Sequence, residues 1–208
     1  MQLYLSSYKL GSEPQKLKEL VDVEKKVAVI ANALDFSDEF ERKQHSIQRE
    51  LDDLAALGLQ AEEMDLRDYF ERRDELVKKL GEFGLIWAIG GNSFVLRRAM
   101  RQSGFDELVK QYHSEHRQSF VYAGYSAGAV VAAPTLRGIE LVDDPKVVPA
   151  TYESEIIWEG LGLINFSIAP HYRSNHPEAE AIEHVVRYFQ QNNIYFRALS
   201  DGEVIITQ

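Results

Sequence analysis

The chain has 208 residues, of which 45% are apolar and 27% are charged, and its formal net charge is −10. This composition predicts one soluble globular domain over residues 1–208, and the negative charge argues against a nucleic-acid or membrane partner, which would need clustered Lys and Arg. The sequence has no cysteine, which excludes disulfides, thiolate metal sites and a cysteine nucleophile. The first residues lack the basic start and apolar run of a signal peptide, so we expect a cytoplasmic protein.

Strand-like and helix-like segments alternate along almost the whole chain. Residues 26–32 form a continuous apolar run, which is typical of a parallel strand covered on both faces. A charged amphipathic helix follows and ends at Gly58. Further strands are predicted at 61–65, 84–89, 120–123, 166–169, 196–200 and 203–207. The predicted helices cover 37–57, 69–80, 94–100, 105–116 and 177–191.

This alternation predicts an α/β fold, a three-layer sandwich built on a mostly parallel sheet. The least regular stretch, residues 136–162, is rich in Asp, Glu, Pro and Gly, and long irregular segments of compact domains often carry function. In open parallel sheets the site lies beyond the carboxyl ends of the strands. Gly90, Ser126 and His171 each come at or just after the end of an apolar strand, so the sequence predicts that they share a site.

Residues 124–128 read Gly-Tyr-Ser-Ala-Gly and fit the G-x-S-x-G pattern of a nucleophile elbow. An apolar strand precedes the pattern and small residues open a helix after it. A strained serine in such a turn needs neighbours without bulk, so that strand and helix can pass closely. The alternative interpretation is a strand-turn-helix crossover whose glycines serve packing only. We interpret Ser126 as the nucleophile.

A serine nucleophile needs a base, and His171 at a predicted strand end is the best candidate. The alternative is a loop histidine that only bonds the backbone. His176, which precedes a proline at a helix start, is an outside candidate. The remaining histidines lie in charged helical stretches that are typical of solvated surface: His45, His113, His116 and His184.

Gly90-Gly91-Asn92 follows another apolar strand and precedes a helix. One interpretation is a tight turn with Asn92 as the helix N-cap. A phosphate-binding loop is disfavoured because both G-x-G-x-x-G and the P-loop lysine are missing. Beside Ser126 the turn suits an oxyanion hole, with N–H donors from Gly91 and Ala127.

Together these motifs resemble the peptidase E and cyanophycinase family of serine peptidases. The resemblance runs from about residue 86 to 172, with a family-like start at residue 26 and a family-like end at residues 201–202. It rests on residues 90–94, 124–129, 133–135, 144–145, 160–163 and 170–172. It implies a flavodoxin-like fold similar to class I glutamine amidotransferases, with serine in place of their cysteine. It also implies hydrolysis of short peptides without a cofactor or metal, by a monomer or homodimer. The implied roles are Ser126 as nucleophile, His171 as base, Gly91 and Ala127 as oxyanion donors, and Asn92 as a substrate contact.

The resemblance places the third triad residue, an acid, between the serine and the histidine. This chain is shorter there, and Glu140 comes closest, with Asp143, Asp144, Glu153 and Glu155 as alternatives. The Gly-Glu-Thr-Arg segment of the family's aspartyl dipeptidases is missing after His171, although Arg173 could replace its arginine. Strict cleavage after aspartate is therefore not implied.

Two other functions are compatible with the sequence. An α/β-hydrolase esterase shares the elbow and the order of the triad, but its histidine normally follows the last strand, and here a helix and two strands come after His171. A non-catalytic member of the fold could bind a peptide without cutting it. Labelling of Ser126 by a fluorophosphonate would distinguish the enzymes from the binding module.

Overall fold

The structure is a computed structural model that describes residues 1–21, 26–115 and 120–207. Its strands are β1 (Leu3–Ser6), β2 (Lys26–Ile30), β3 (Ala61–Glu63), β4 (Phe83–Ala88), β5 (Val121–Tyr125), β6 (Ser167–Ala169), β7 (Phe196–Ala198) and β8 (Val204–Thr207). Its helices are α1 (Pro14–Leu20), α2 (Phe40–Ala56), α3 (Arg73–Leu80), α4 (Ser93–Gln102), α5 (Phe105–Ser114), α6 (Ala127–Val130) and α7 (Ala179–Gln191). His116 lies outside the described residues.

The main sheet has six strands in the order β3-β2-β4-β5-β1-β8. All its neighbours pair in parallel except β8, which runs antiparallel to β1. Every residue of β4 and β5 is buried, as expected for central strands with helices on both faces. Two apolar clusters cover the two faces of the sheet. The predicted three-layer α/β architecture with a mostly parallel sheet is confirmed.

Several elements differ from the sequence prediction. β1 and α1 were not predicted, and β1 lies inside the sheet between β5 and β8. β6 and β7 pair with each other in parallel as a separate two-stranded sheet, rather than extending the main one. Short strands do not reveal their pairing in the local pattern, because pairing depends on contacts that are distant in sequence.

The irregular stretch at 136–162 packs over the carboxyl ends of the sheet and contains one 3₁₀ turn, Ile139–Leu141. The buried guanidinium group of Arg98 on α4 holds this stretch by donating to the backbone carbonyls of Pro145 (2.7 Å), Val147 (3.1 Å) and Glu155 (2.9 Å). Arginine suits this task because its planar fork offers several donors in fixed directions. Among the described residues no helix is long and apolar enough to cross a membrane.

Candidate active site

Ser126 occupies the tight turn between β5 and the short helix α6. Its backbone has φ 48° and ψ −117°, a conformation that is costly for a residue with a side chain and typical of a strained functional turn. A Cβ atom on Gly124 would lie 2.6 Å from the carbonyl oxygen of Ala88, and one on Gly128 would overlap the same oxygen. The two glycines therefore permit the close crossing of strand and helix that a nucleophile elbow requires.

Two backbone N–H groups near Ser126 belong to Gly91 and Ala127, which the sequence predicts as oxyanion donors. Gly91 has φ 139°, and a Cβ atom there would overlap the carbonyl oxygen of Ala33, so the position demands glycine. In the parts of the chain that the structure describes, neither the Gly91 N–H nor the Ala127 N–H donates to a backbone carbonyl. Because Gly91 and Ala127 each line a pocket with Ser126, both donors suit an oxyanion.

The Asn92 side chain bonds to the first turn of helix α4. Its side-chain oxygen accepts the N–H groups of Phe94 (2.9 Å) and Val95 (3.0 Å), and its side-chain nitrogen donates to the carbonyl of Asp144 (3.0 Å). Asn92 is thus the N-cap of α4, and it is not among the residues that line the cleft around Ser126. We therefore replace the expected substrate contact with a structural role for this side chain.

His171 follows β6 and is buried, with φ 59°. Its Nδ1 atom lies 2.7 Å from Oδ1 of Asp201, and its backbone N–H donates to the hydroxyl of Ser7 at 2.8 Å. Burial is the main cause that lowers the pKa of His171 below its ordinary value of 6.5, and the contact with Asp201 opposes that shift. The imidazole is therefore neutral at neutral pH, with Nε2 available as a proton acceptor.

Ser126 and His171 line one open cleft of about 230 Å³ at the carboxyl ends of β4 and β5. Gly90 and Gly91 form part of its wall, and Tyr8, which follows β1, contacts the rings of both His171 and His176. The structure thus brings together the serine, the histidine and the glycine turn that the sequence placed at separate strand ends.

The acid expected from the sequence, Glu140, is not the partner of His171. Glu140 lies in the 3₁₀ turn after Gly138, and its carboxylate accepts the Gly138 N–H at 2.5 Å. The carboxylate therefore caps its own turn. Asp201 contacts the ring instead, and we correct the assignment accordingly.

The four alternatives considered for the acid have other environments, and no described hydrogen bond or ion pair joins any of them to His171. Asp143 accepts the Ser93 N–H at 2.8 Å, and burial raises its pKa to about 6. The rest are exposed: Asp144 accepts the Lys146 N–H at 2.9 Å, Glu155 lies 3.0 Å from the Arg101 guanidinium, and Glu153 is at the surface.

The sequence did contain a signal for Asp201, namely an acidic residue shortly after a predicted strand. β6 and β7 pair in parallel with Ala169 opposite Ala198, so the residues that follow the two strands lie side by side. His171 comes two residues after Ala169, and Asp201 comes three residues after Ala198. The expectation that the acid precedes the histidine in the chain concealed this signal.

His176 and Glu178 adjoin the base. The rings of His171 and His176 stack with centroids 3.6 Å apart and planes 7° apart, and Glu178 Oε2 lies 3.9 Å from His171 Nε2. Their ligand atoms lie within 4.8 Å of one another, a spacing at which metal binding has to be considered. Because parallel stacked rings direct their nitrogen lone pairs side by side rather than toward one point, we do not assign a metal site to this cluster.

Comparisons with known proteins agree with this geometry. The family model of peptidase family S51 matches residues 8–208. An uncharacterised peptidase of Listeria monocytogenes is 32% identical over 153 residues, covering 73% of this chain and 69% of its own. Peptidase E of Streptomyces coelicolor is 34% identical over 145 residues, covering 67% of this chain and 54% of its own. A crystal structure of a Listeria monocytogenes protein described as a candidate peptidase E has a TM-score of 0.73 at 27% identity, covering 100% of this chain and 98% of that one.

Proposed function

Since the chain belongs to peptidase family S51 and is a serine peptidase, we propose that it hydrolyses short peptides with Ser126 as nucleophile, His171 as base and Asp201 as the acid. This retains the nucleophile and base inferred from the sequence and replaces Glu140. The observation that carries the proposal is the contact of 2.7 Å between His171 Nδ1 and Asp201, on a histidine that lines the same cleft as Ser126.

Acylation begins when the Ser126 hydroxyl attacks the carbonyl carbon of the substrate and its proton moves to His171 Nε2. Asp201 accepts the Nδ1–H group, which fixes the tautomer that leaves Nε2 unprotonated and stabilises the imidazolium once it forms. The imidazolium then gives its proton to the leaving amine. In the second half of the cycle His171 activates a water that hydrolyses the acyl-enzyme.

The oxyanion formed in both halves is assigned to the N–H groups of Gly91 and Ala127. Donors fixed in advance stabilise charge in the transition state without reorganising during the reaction, and each is worth about 3 kcal/mol in comparable sites. The requirement for glycine at position 91 supports the assignment, because its backbone conformation presents an N–H where a side chain could not fit.

The cleft favours small substrates with charged ends. Its volume of about 230 Å³ lies just below the range of about 300–1,000 Å³ typical of sites for drug-sized ligands, which limits the substrate to a short peptide. Arg42 and Arg49 of α2 line it together with Glu178 near α7, so a short peptide can offer a carboxylate to the arginines and an ammonium to the glutamate. Cleavage of dipeptides belongs to this proposal, without strict preference for aspartate.

Active-site labelling tests the proposal. A fluorophosphonate should modify the wild type at Ser126, and it should leave the folded Ser126→Ala variant unmodified because the only proposed nucleophile is gone. The labelled wild type should also lose its hydrolysis of a dipeptide library. Turnover by purified Ser126→Ala at the wild-type rate would refute the assignment of the nucleophile.

A further inference from the structure

Glu50 is a buried acidic residue that the proposed mechanism does not use. It lies on α2 and is only 1% exposed, yet both its carboxyl oxygens are bonded: Oε1 accepts the hydroxyl of Tyr125 (3.0 Å) and Oε2 accepts the indole N–H of Trp87 (3.1 Å). Burial raises the pKa of Glu50, and the two donors oppose the rise. Keeping a carboxyl group away from water costs free energy, so its placement calls for an explanation beyond packing.

The hydrogen bond from Tyr125 connects the Glu50 carboxyl group to the turn that carries Ser126. Tyr125 directly precedes Ser126, and its ring fills the space beside Gly90, where an added Cβ atom would lie 2.9 Å from the ring edge. Burial is the main cause that raises the pKa of the Tyr125 hydroxyl, and the neighbouring Glu50 raises it further. The tyrosine ring therefore packs against the glycine turn, while its hydroxyl binds Glu50.

In the described chain, the backbone N–H groups that anchor the glycine turn are those at its two ends. The Ile89 N–H donates to the Ile30 carbonyl (3.1 Å), and the Asn92 N–H donates to the Ala33 carbonyl (2.8 Å). Between them, neither Gly90 nor Gly91 donates its N–H to a backbone carbonyl of the described chain. Glycine peptides rotate easily, so the orientation of this peptide depends on its side-chain neighbours.

We propose that Glu50 is a positioning residue that acts through the Tyr125 hydroxyl to hold the Gly90–Gly91 peptide with the Gly91 N–H directed at the oxyanion. The inference rests on the proposed function, since it concerns the same oxyanion hole. Glu50 itself lies behind Tyr125 and does not touch the substrate. A shift of the donor by a fraction of an ångström weakens only the transition state, because the neutral ground-state carbonyl makes little use of the hole.

The experiment compares Glu50→Gln, Tyr125→Phe and the control Trp87→Phe by steady-state kinetics on one peptide. Trp87→Phe removes the other donor to the same carboxyl group and leaves the contact with Gly90 in place. We expect kcat to fall about 10- to 100-fold in Glu50→Gln and Tyr125→Phe, with KM within about threefold of the wild type. The double variant should lose no more than the worse single variant, because both changes break one chain of contacts. In Trp87→Phe we expect kcat within about threefold of the wild type, whatever its melting temperature.

A second readout does not require turnover. The amide resonance of Gly91 in ¹⁵N–¹H spectra should move in Tyr125→Phe and Glu50→Gln and stay in place in Trp87→Phe. If kcat and the resonance are unchanged in folded Tyr125→Phe, or if Trp87→Phe loses as much kcat as the other two, the inference is overturned. A wild type that fluorophosphonate does not label refutes the proposed function and this inference together. A labelled wild type with equal labelling rates in all variants refutes this inference alone.

Discussion

The Oδ1 atom of Asp201 lies 2.7 Å from the Nδ1 atom of His171, and a third residue fixes both. The Ser7 hydroxyl lies 2.9 Å from the same Oδ1 atom and accepts the backbone N–H of His171 at 2.8 Å. Ser7 follows β1, so the N-terminal strand supports a pair of residues that come from the last third of the chain. A base held at both its ring and its backbone needs little rearrangement during the reaction.

Asp201→Asn should lower kcat by about 10³- to 10⁴-fold, because an amide in place of the carboxylate favours the wrong tautomer of His171 and no longer stabilises the imidazolium. Glu140→Gln is the matched control and should stay within about threefold of the wild type, since Glu140 bonds its own turn. Single-turnover rates of the two variants decide between them. The reverse ranking would return the acid to Glu140.

The pH dependence of kcat/KM should reflect the lowered pKa of His171. The base works only when neutral, so activity is lost as pH falls through the pKa of His171 in the free enzyme. Burial places that pKa below the ordinary 6.5, and we expect the acidic limb of the profile to fall below pH 6.5. In Asp201→Asn the limb should move further toward acid, because the carboxylate favours the charged ring. A limb above pH 6.5 in the wild type would contradict this environment for the base.

The features of the site that were predictable from the sequence are local ones. Ser126 stands in a pattern of strand, small residues and helix start, and the glycines on either side have the steric reason that the pattern implies. His171 follows an apolar strand in the same way. Each of these signals is contained in fewer than ten consecutive residues, so no knowledge of distant contacts is needed.

The features that the sequence concealed depend on pairing between distant strands. Asp201 meets His171 because β6 pairs with β7, and nothing in the three-residue strands specifies that partner. Ser7 reaches the site because β1 lies beside β5 with Leu5 opposite Gly124. The role of Asn92 was also ambiguous, because a side chain after a glycine turn can cap a helix or meet a ligand, and only the position of Phe94 and Val95 decides.

Gly91→Ala should damage kcat by about 100-fold or more while KM changes little, because the added Cβ atom overlaps the Ala33 carbonyl and displaces a donor that serves the transition state. Gly162→Ala is a matched control: Gly162 also has a positive φ of 67°, but a Cβ atom there meets nothing within 4 Å. The control should lose about 1 kcal/mol of stability and keep its kcat. Equal kcat in the two variants would reduce the glycine turn to a structural element.

Asp143→Asn should change how stability depends on pH. Burial raises the pKa of Asp143 from 3.8 to about 6, so the folded state favours the protonated carboxyl group. This contribution to stability is present below pH 3.8 and is lost as pH rises through 6. Relative to the wild type, Asp143→Asn should therefore gain about 1–2 kcal/mol between pH 4 and pH 7, while its amide oxygen still accepts the Ser93 N–H. Denaturant unfolding at the two pH values measures the difference, and parallel curves for both proteins would contradict the burial.

The arginines of α2 provide the sharpest test of the substrate class. If Arg42 and Arg49 receive the terminal carboxylate of a short peptide, Arg42→Gln and Arg49→Gln should each raise KM about tenfold for a dipeptide with a free carboxylate. Because a C-terminal amide carries no charge to lose, its KM should change far less in the same variants. The expectation that kcat stays near the wild type applies to Arg42→Gln, since Arg49 also lies 3.7 Å from the Glu50 carboxyl group. Arg101→Gln is the control for loss of charge. Arg101 lies on α4, pairs with Glu155 of the irregular stretch at 136–162, and does not line the cleft. A KM that rises equally for the amide and the carboxylate would mean that the two arginines shape the wall of the cleft without binding the terminal carboxylate. An unchanged KM for both substrates would mean that the carboxylate binds elsewhere.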